Sequence, residues 1–138
     1  MTPTQLAKLH ARSITVPRPW TADEFTGLLD TQGAFVLGDT TGFALGRVVA
    51  SEAELLTLVV APEARRQGHG LALLRAFEAE ATRRAAAKAV LEVATDNIAA
   101  RALYTACGYH VVGTRPAYYH TPLGRIDALV MTRDLVQD

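Results

Sequence analysis

A single cysteine, Cys107, rules out an internal disulfide and any cysteine-rich metal site. The four histidines, His10, His69, His110 and His120, lack metal-ligand spacing, and no metal is expected. Net charge is absent as well, since 14 Lys plus Arg balance 14 Asp plus Glu. That balance removes the electrostatic argument for a nucleic-acid or anionic-membrane partner. No apolar run approaches the ~18 residues of a membrane span. The first residues, MTPTQLAKLHARS, lack the apolar core of a signal peptide. A soluble, cytoplasmic protein is the expectation. Repeats and low-complexity linkers are missing too, so the 138 residues read as one domain, 1–138. With 49% apolar residues the chain can bury a core, which excludes disorder.

What the chain does have is concentrated in Leu55 to Leu74, LLTLVVAPEARRQGHGLALL. Leu55–Val60 is apolar except for Thr57 and suits a strand covered on both faces. After Pro62, the turn Arg65-Arg66-Gln67-Gly68-His69-Gly70 leads into a helical apolar pattern at Leu71, Leu74 and Phe77. A glycine turn before a helix offers free backbone N–H groups. With the helix dipole and two arginines they make a place for phosphate. A side chain at Gly68 or Gly70 would hold a diphosphate away from the backbone. The alternative is a solvated surface turn. A P-loop is excluded because no Gly-Lys-Ser/Thr occurs, and a dinucleotide fingerprint because Leu73 stands where its third glycine belongs.

Taken in order, Thr4–Ser13 forms a first helix with Leu6 and Leu9 on one face, broken by Pro17 and Pro19. Trp20 follows. Thr21 with Glu24 makes a capping box for a second helix facing inward through Phe25, Leu28 and Leu29, ended by Gly33. Ala34–Gly38 and Gly42–Val49 are strands joined by a hairpin turn, and Ser51–Ala53 turn the chain into Leu55–Val60. The helix after Gly70 runs to about Ala87, with Glu80 and Arg84 placed to pair. Ala89–Thr95 is a strand parallel to Leu55–Val60. Asp96 and Asn97 start a helix that buries Ala99, Ala102, Leu103 and Ala106 and ends at Gly108. Tyr109–Gly113 is a strand, Thr114–Gly124 a strand extension plus loop, and Ile126–Thr132 a last strand. The fold class is α/β (α+β). The sheet is mixed and mostly antiparallel, with one parallel strand pair, and helices flank it.

Glu92 stands within the strand Val90-Leu91-Glu92-Val93-Ala94. Desolvation there would raise its pKa toward that of a general base; a salt-bridged structural carboxylate is the alternative. Tyr104, at the edge of a helix's core face, can donate a proton to a leaving thiolate or simply pack its ring. Asn97 is explained as a cap, Cys107 as a small packing residue, and His69 as a solvent-facing member of the turn.

Three blocks then line up: Leu58-Val59-Val60-Ala61-Pro62 with Arg65–Gly70, Leu91-Glu92-Val93 with Asn97, and Ala102-Leu103-Tyr104 with Gly108-Tyr109. Together they resemble the GNAT superfamily of acyl-CoA N-acyltransferases over roughly residues 20–134. The pair Pro19-Trp20 and the pair Tyr118-Tyr119 resemble the bacterial ribosomal-protein alanine N-acetyltransferases within it. The resemblance implies a splayed strand pair whose Leu58, Val59 and Val60 line the pantetheine arm of acetyl-CoA. It implies a pyrophosphate turn of Arg65, Arg66, Gln67, Gly68, His69, Gly70 and Leu71, with Asn97 also at the cofactor. Glu92 would be the general base and Tyr104 the proton donor to the CoA thiolate. Trp20, Tyr118 and Tyr119 would frame the acceptor. The family usually opens with a strand before its first helix; helical sequence starts here almost at once, which leaves open that the sheet lacks that strand.

The expected reaction is direct acetyl transfer in a ternary complex to an amine, foremost the N-terminal α-amine of a protein, such as a ribosomal one. An α-amine with pKa about 8 is roughly a tenth neutral at pH 7, whereas a lysine amine near about 10.4 is less than about a thousandth neutral, so an α-amine needs only a modest base. Two other readings stand beside it: acetylation of a small amine or a lysine side chain, and an acyl-CoA-binding module without turnover. Oligomeric state is not expressed in the sequence.

Overall fold

Two capping boxes open the N-terminal helices of the computed structural model, which describes residues 1–14 and 18–135. Thr2 Oγ1 accepts from Gln5 N at 3.1 Å while Gln5 Oε1 accepts from Thr2 N at 2.8 Å, starting α1 (Pro3–Ser13). Thr21 and Glu24 repeat the device for α2 (Ala22–Leu29), at 3.2 and 3.0 Å. The break placed at Pro17 falls outside the described residues. Among the described residues no strand precedes α1.

Six strands form one sheet in the order β1-β2-β3-β4-β6-β5. They are β1 (Ala34–Asp39), β2 (Gly42–Val49), β3 (Glu52–Val60), β4 (Lys88–Ala94), β5 (His110–Thr121) and β6 (Gly124–Asp134). Only β3 and β4 pair in parallel; every other neighbour is antiparallel. The parallel step follows from α3 (His69–Arg83), which crosses back over one face. A second helix, α4 (Ile98–Ala106), lies on that same face. Leu74, Phe77, Ala81, Tyr104 and Cys107 pack there against Ala44, Leu55, Leu91 and Met131. On the opposite face Leu6, Leu9 and Phe25 pack against Phe43, Leu45 and Val59. The result is a helix–sheet–helix sandwich with two apolar layers.

Several sequence expectations are corrected. The helix after Gly70 stops at Arg83, not near Ala87: Arg84 caps it, and Ala85 takes a left-handed φ of 66° that turns the chain into β4. The Glu80–Arg84 pair forms at 2.7 Å, with Arg83 on the same carboxylate. The third strand starts at Glu52, so the turn before it is shorter than expected. In α4 the inward stripe is Ala100, Leu103, Tyr104 and Cys107, while Ala99, Ala102 and Ala106 face solvent. Alanines carry little orientation signal; the larger side chains at i, i+3 and i+4 set the face. Leu71 is 45% exposed because it lies in the first turn of α3, outside the stripe of Leu74, Phe77 and Ala81. The strand extension expected after Thr114 runs through Thr121, which leaves only a short turn before Gly124. Finally, Leu55–Val60 is not covered on both faces throughout, since Leu56, Thr57, Leu58 and Val60 are only partly buried.

One polar cluster inside the α3–α4 layer has no sequence signal. Glu78, 7% exposed, accepts from Tyr109 Oη at 2.9 Å, Arg133 Nη1 at 2.9 Å and Arg75 Nη1 at 3.0 Å. It ties α3 to the residue before β5 and to β6, with both carboxylate oxygens answered.

Candidate active site

The partial exposure of β3 has a definable cause. Leu45 pairs with Thr57, but the next β2 residue, Gly46, pairs with Leu55, so Leu56 is an extra residue on β3. This bulge bends the strand. Gly46 is required opposite it, because an added Cβ would come within 2.7 Å of the Phe77 ring. Pairing of β3 with β4 stops at the same point, at Leu55↔Leu91. From Leu56 to Val60 the edge of β3 has no partner strand, while β4 continues along β6 to Ala94. A narrow gap of about 100 Å³ opens between them, lined among others by Leu58, Glu92, Asn97, Ala100, Tyr104 and Tyr119.

The turn beyond β3 follows the free end of that strand. Gly68 adopts a left-handed φ of 82° as the N-cap of α3. Ala72 N is the first amide bonded to it, at 3.1 Å, so the amides of His69, Gly70 and Leu71 have no acceptor among the described residues. Arg66, also left-handed at φ 63°, projects into solvent. Arg65 is differently engaged: its guanidinium donates to Ser13 O at 2.6 Å and Val60 O at 3.4 Å, tying the end of α1 to β3. Gln67 Nε2 donates weakly to Glu63 O at 3.5 Å. Of the predicted strand residues, Leu58 faces the gap, whereas Val59 is buried against α1 and α2 and Val60 packs at the margin of that same cluster. Asn97 caps α4, accepting from Ala100 N at 3.2 Å, and also borders the gap.

Tyr104 is buried at 7% exposure, not at the edge of its helix face. Its hydroxyl has no hydrogen-bond partner among the described residues, yet it is not a sealed, unsatisfied atom; it opens onto the gap. Burial pushes its phenol up to about 12, so at neutral pH it carries its proton.

A wider cleft of about 430 Å³ lies beyond, bounded by Arg18, Trp20, Glu54, Glu92, Tyr118 and Tyr119 with apolar stretches of β3 and β4. The gap and the cleft share Leu55, Leu56, Leu91, Glu92 and Tyr119. Glu92 therefore stands where they meet. It is ion-paired, its Oε1 at 2.8 Å from Arg115 Nε. Arg115 also stacks over Tyr118, 5.5 Å from the ring centroid. Tyr118 and Tyr119 meet edge to face at 5.0 Å. They reach the cleft because β5 bulges: Arg115 pairs with Ala128 and the next paired residue is Tyr119, opposite Ile126. Ala117 is left-handed at φ 52°, and its N–H donates to Asp127 Oδ1 at 2.8 Å. Burial, then the nearby Glu92 charge, pushes the Tyr119 phenol up to about 12. Arg115 and Asp127 were not foreseen as site residues. The only available signal was Pro116, a residue that a strand tolerates at an edge or bulge.

The site brings together Glu92, Tyr104, Asn97, Leu58, Trp20, Tyr118 and Tyr119, and the glycine turn follows the free end of β3 in the chain. Among the described residues no three His, Cys, Asp or Glu side chains gather as a metal site. Among the same residues no helix is long and apolar enough to cross a membrane.

A splayed parallel pair with a glycine-capped helix behind it is the frame of an acyl-CoA-dependent transferase, and the chain belongs to the Acetyltransferase (GNAT) family, whose sequence profile matches residues 7–109. Its relatives are more particular. It is 42% identical over 94 residues to the ribosomal protein bS18-alanine N-acetyltransferase of Escherichia coli, a match covering 68% of this chain and 64% of that protein. The aligned region thus spans less than two thirds of that relative's length. It is 35% identical over 137 residues to the N-alpha-acetyltransferase RimI of Mycobacterium tuberculosis, covering 93% and 84%. Among solved structures, the ribosomal-protein-S18-alanine N-acetyltransferase from Escherichia coli superposes with a TM-score of 0.88 at 30% identity, covering 99% of this chain and 89% of that one.

Proposed function

We propose that this protein transfers the acetyl group of acetyl-CoA to the N-terminal α-amine of a protein, a ribosomal protein being the foremost candidate, in the cytoplasm. The observation that carries the reading is the junction of gap and cleft at Glu92, with the Tyr104 hydroxyl on the gap side. The gap fits the pantetheine arm, because the unpartnered edge of β3 offers backbone groups as a strand would. The free amides of His69, Gly70 and Leu71, with Arg66 beside them, fit the pyrophosphate. Acetyl-CoA supplies an activated acetyl thioester; the protein supplies position and proton traffic.

Glu92 takes the proton that the attacking amine must lose, directly or through one water. Tyr104, protonated at neutral pH, gives its proton to the departing thiolate. The N–C bond forms as the C–S bond breaks, and backbone N–H groups near Val60 polarise the thioester carbonyl. Holding both reactants in this junction contributes up to about 7–11 kcal/mol of barrier reduction. Arg115 orients the Glu92 carboxylate from the solvent side, its own side chain being 56% exposed. The names of the relatives, which act on bS18 alanine and on α-amines, support the acceptor class.

The test is release of the CoA thiol from acetyl-CoA with alanine-initiated peptides. Release with a free N-terminus and none with a blocked one is expected. Faster release with a polyamine, an aminoglycoside or an internal lysine would replace the acceptor assignment. Tight acetyl-CoA binding with no release toward any amine would make the protein a binding module.

A further inference from the structure

Among the described residues, His10 is the one fully buried titratable side chain that the chemistry above does not use. It lies on α1, beneath the acceptor cleft, and both of its ring nitrogens are engaged. The backbone N–H of Trp20 donates to Nδ1 at 3.0 Å, and Nε2 lies 3.0 Å from Thr57 Oγ1. An amide N–H can only donate, so Nδ1 must be unprotonated and the ring proton sits on Nε2, directed at Thr57. The ring also stacks on the Trp20 indole, centroids 4.9 Å apart, and meets Phe25 edge-on at 5.3 Å. Its two partners belong to different parts of the site. Trp20 is a wall of the cleft, and Thr57 is the residue after the bulge, on the unpaired length of β3.

We infer that His10 is a positioning residue for the acceptor cleft: through its unprotonated Nδ1 it holds the Trp20 backbone, and so the indole wall, at a fixed distance from β3. Protonation of Nδ1 sets N–H against N–H and releases that wall. One charged group near it works against the neutral ring. Glu24 of α2 faces it, but that carboxylate is bound on both oxygens by Arg18 at 2.8 Å. β2 and β3 present Phe43 and Thr57, neither of which is charged. Burial accordingly pulls the imidazole down to about 4. The wall is thus locked at neutral pH and released only in acid. The kinetic part of this inference rests on the acceptor reading given above; the spectroscopic part does not.

Trp20 is the only tryptophan, so indole emission reports this contact alone. Acidification should change the emission with a midpoint near 4, and His10→Phe should abolish that step. A midpoint near about 6.5, the value of a free imidazole, or the same step in His10→Phe, would overturn the coupling. With an alanine-initiated peptide, His10→Phe should raise the peptide KM about tenfold, the effect of leaving one buried N–H unpaired. The KM for acetyl-CoA should stay within about twofold. His10→Asn, whose Oδ1 can still accept from Trp20, should recover most of the loss. If both KM values and kcat fall together in step with Tm, or if Asn is no better than Phe, His10 is structural only. A wild-type protein that leaves the peptide untouched defeats the acceptor reading, while the emission titration still decides the role of His10.

Discussion

The two halves of the proposed site are built from different materials. The donor half is made of backbone: an unpaired strand edge after Leu55 and three free amides at the start of α3. The acceptor half is made of side chains: Trp20 on a stacked His10, Tyr118 and Tyr119 on a bulge, and Glu92 held by Arg115. Backbone recognition tolerates almost any side chain and fits a donor of constant chemistry. Side-chain recognition ties the acceptor to particular residues from widely separated parts of the chain. The donor half should therefore be robust to pH and to most substitutions outside its glycines, and the acceptor half sensitive to both.

The largest break in this comparison is expected at the junction. Tyr104→Phe should lower kcat by about 10³-fold, within the usual range for a lost general acid, with acetyl-CoA affinity nearly unchanged. Single-turnover measurement of thiol release checks it, and a parallel loss of acetyl-CoA binding would return Tyr104 to core packing.

Next comes the acid sensitivity of the acceptor half. The buried His10 prefers its neutral form in the folded protein, whereas the unfolded chain takes up a proton below about 6.5. Stability is complete above that pH, falls as pH drops toward about 4, and loses nothing further from this group below it. The total is about 3 kcal/mol by linkage. Urea titrations at pH 7, 5.5 and 4.5 should show the slope, and His10→Phe should flatten it.

A third effect is smaller at most pH values. Glu92→Gln should lower the rate by about 10²-fold near pH 6.5, with the deficit narrowing as the acceptor amine deprotonates unaided toward pH 9. An equal deficit at every pH would remove Glu92 from the base role. The fourth concerns the donor half alone. Gly68→Val puts a β-branched residue at φ 82°, a left-handed strain of roughly 1–2 kcal/mol. It should raise the acetyl-CoA KM about tenfold and leave the peptide KM unmoved. The least effect belongs to Arg12–Glu63, an exposed pair at 2.6 Å whose side chains line neither the gap nor the cleft; Glu63→Gln should leave Tm and rate unchanged.

This division also explains what could be read in the sequence. The half proposed for the donor lies in one run, Leu58 to Leu71, so local spacing was enough to suggest it, and both capping boxes and the Asn97 cap were equally local. Glu92 and Tyr104 were visible as a carboxylate in a strand and a phenol on a helix. Their meeting depended on pairing across the sheet, which spacing does not carry. The ion pair with Arg115 joins β4 to β5 across β6, and the buried Glu78 joins three segments, so neither leaves a local trace. The inward face of α4 was misread because alanine at 99, 102 and 106 gives no orientation signal, and the turn of Tyr118 and Tyr119 into the cleft needed the left-handed Ala117.

The bulge at Leu56 carries a final consequence. The opening for the donor depends on the number of residues between Leu55 and Thr57, and no single side chain there creates it. Insertions and deletions at this point are therefore a different kind of mutation from substitutions. Removing one residue would restore the β2–β3 register and let β3 close along β4, sealing the site with every chemical group still encoded. The length of this segment, as distinct from its composition, is what a lineage retaining the activity has to preserve.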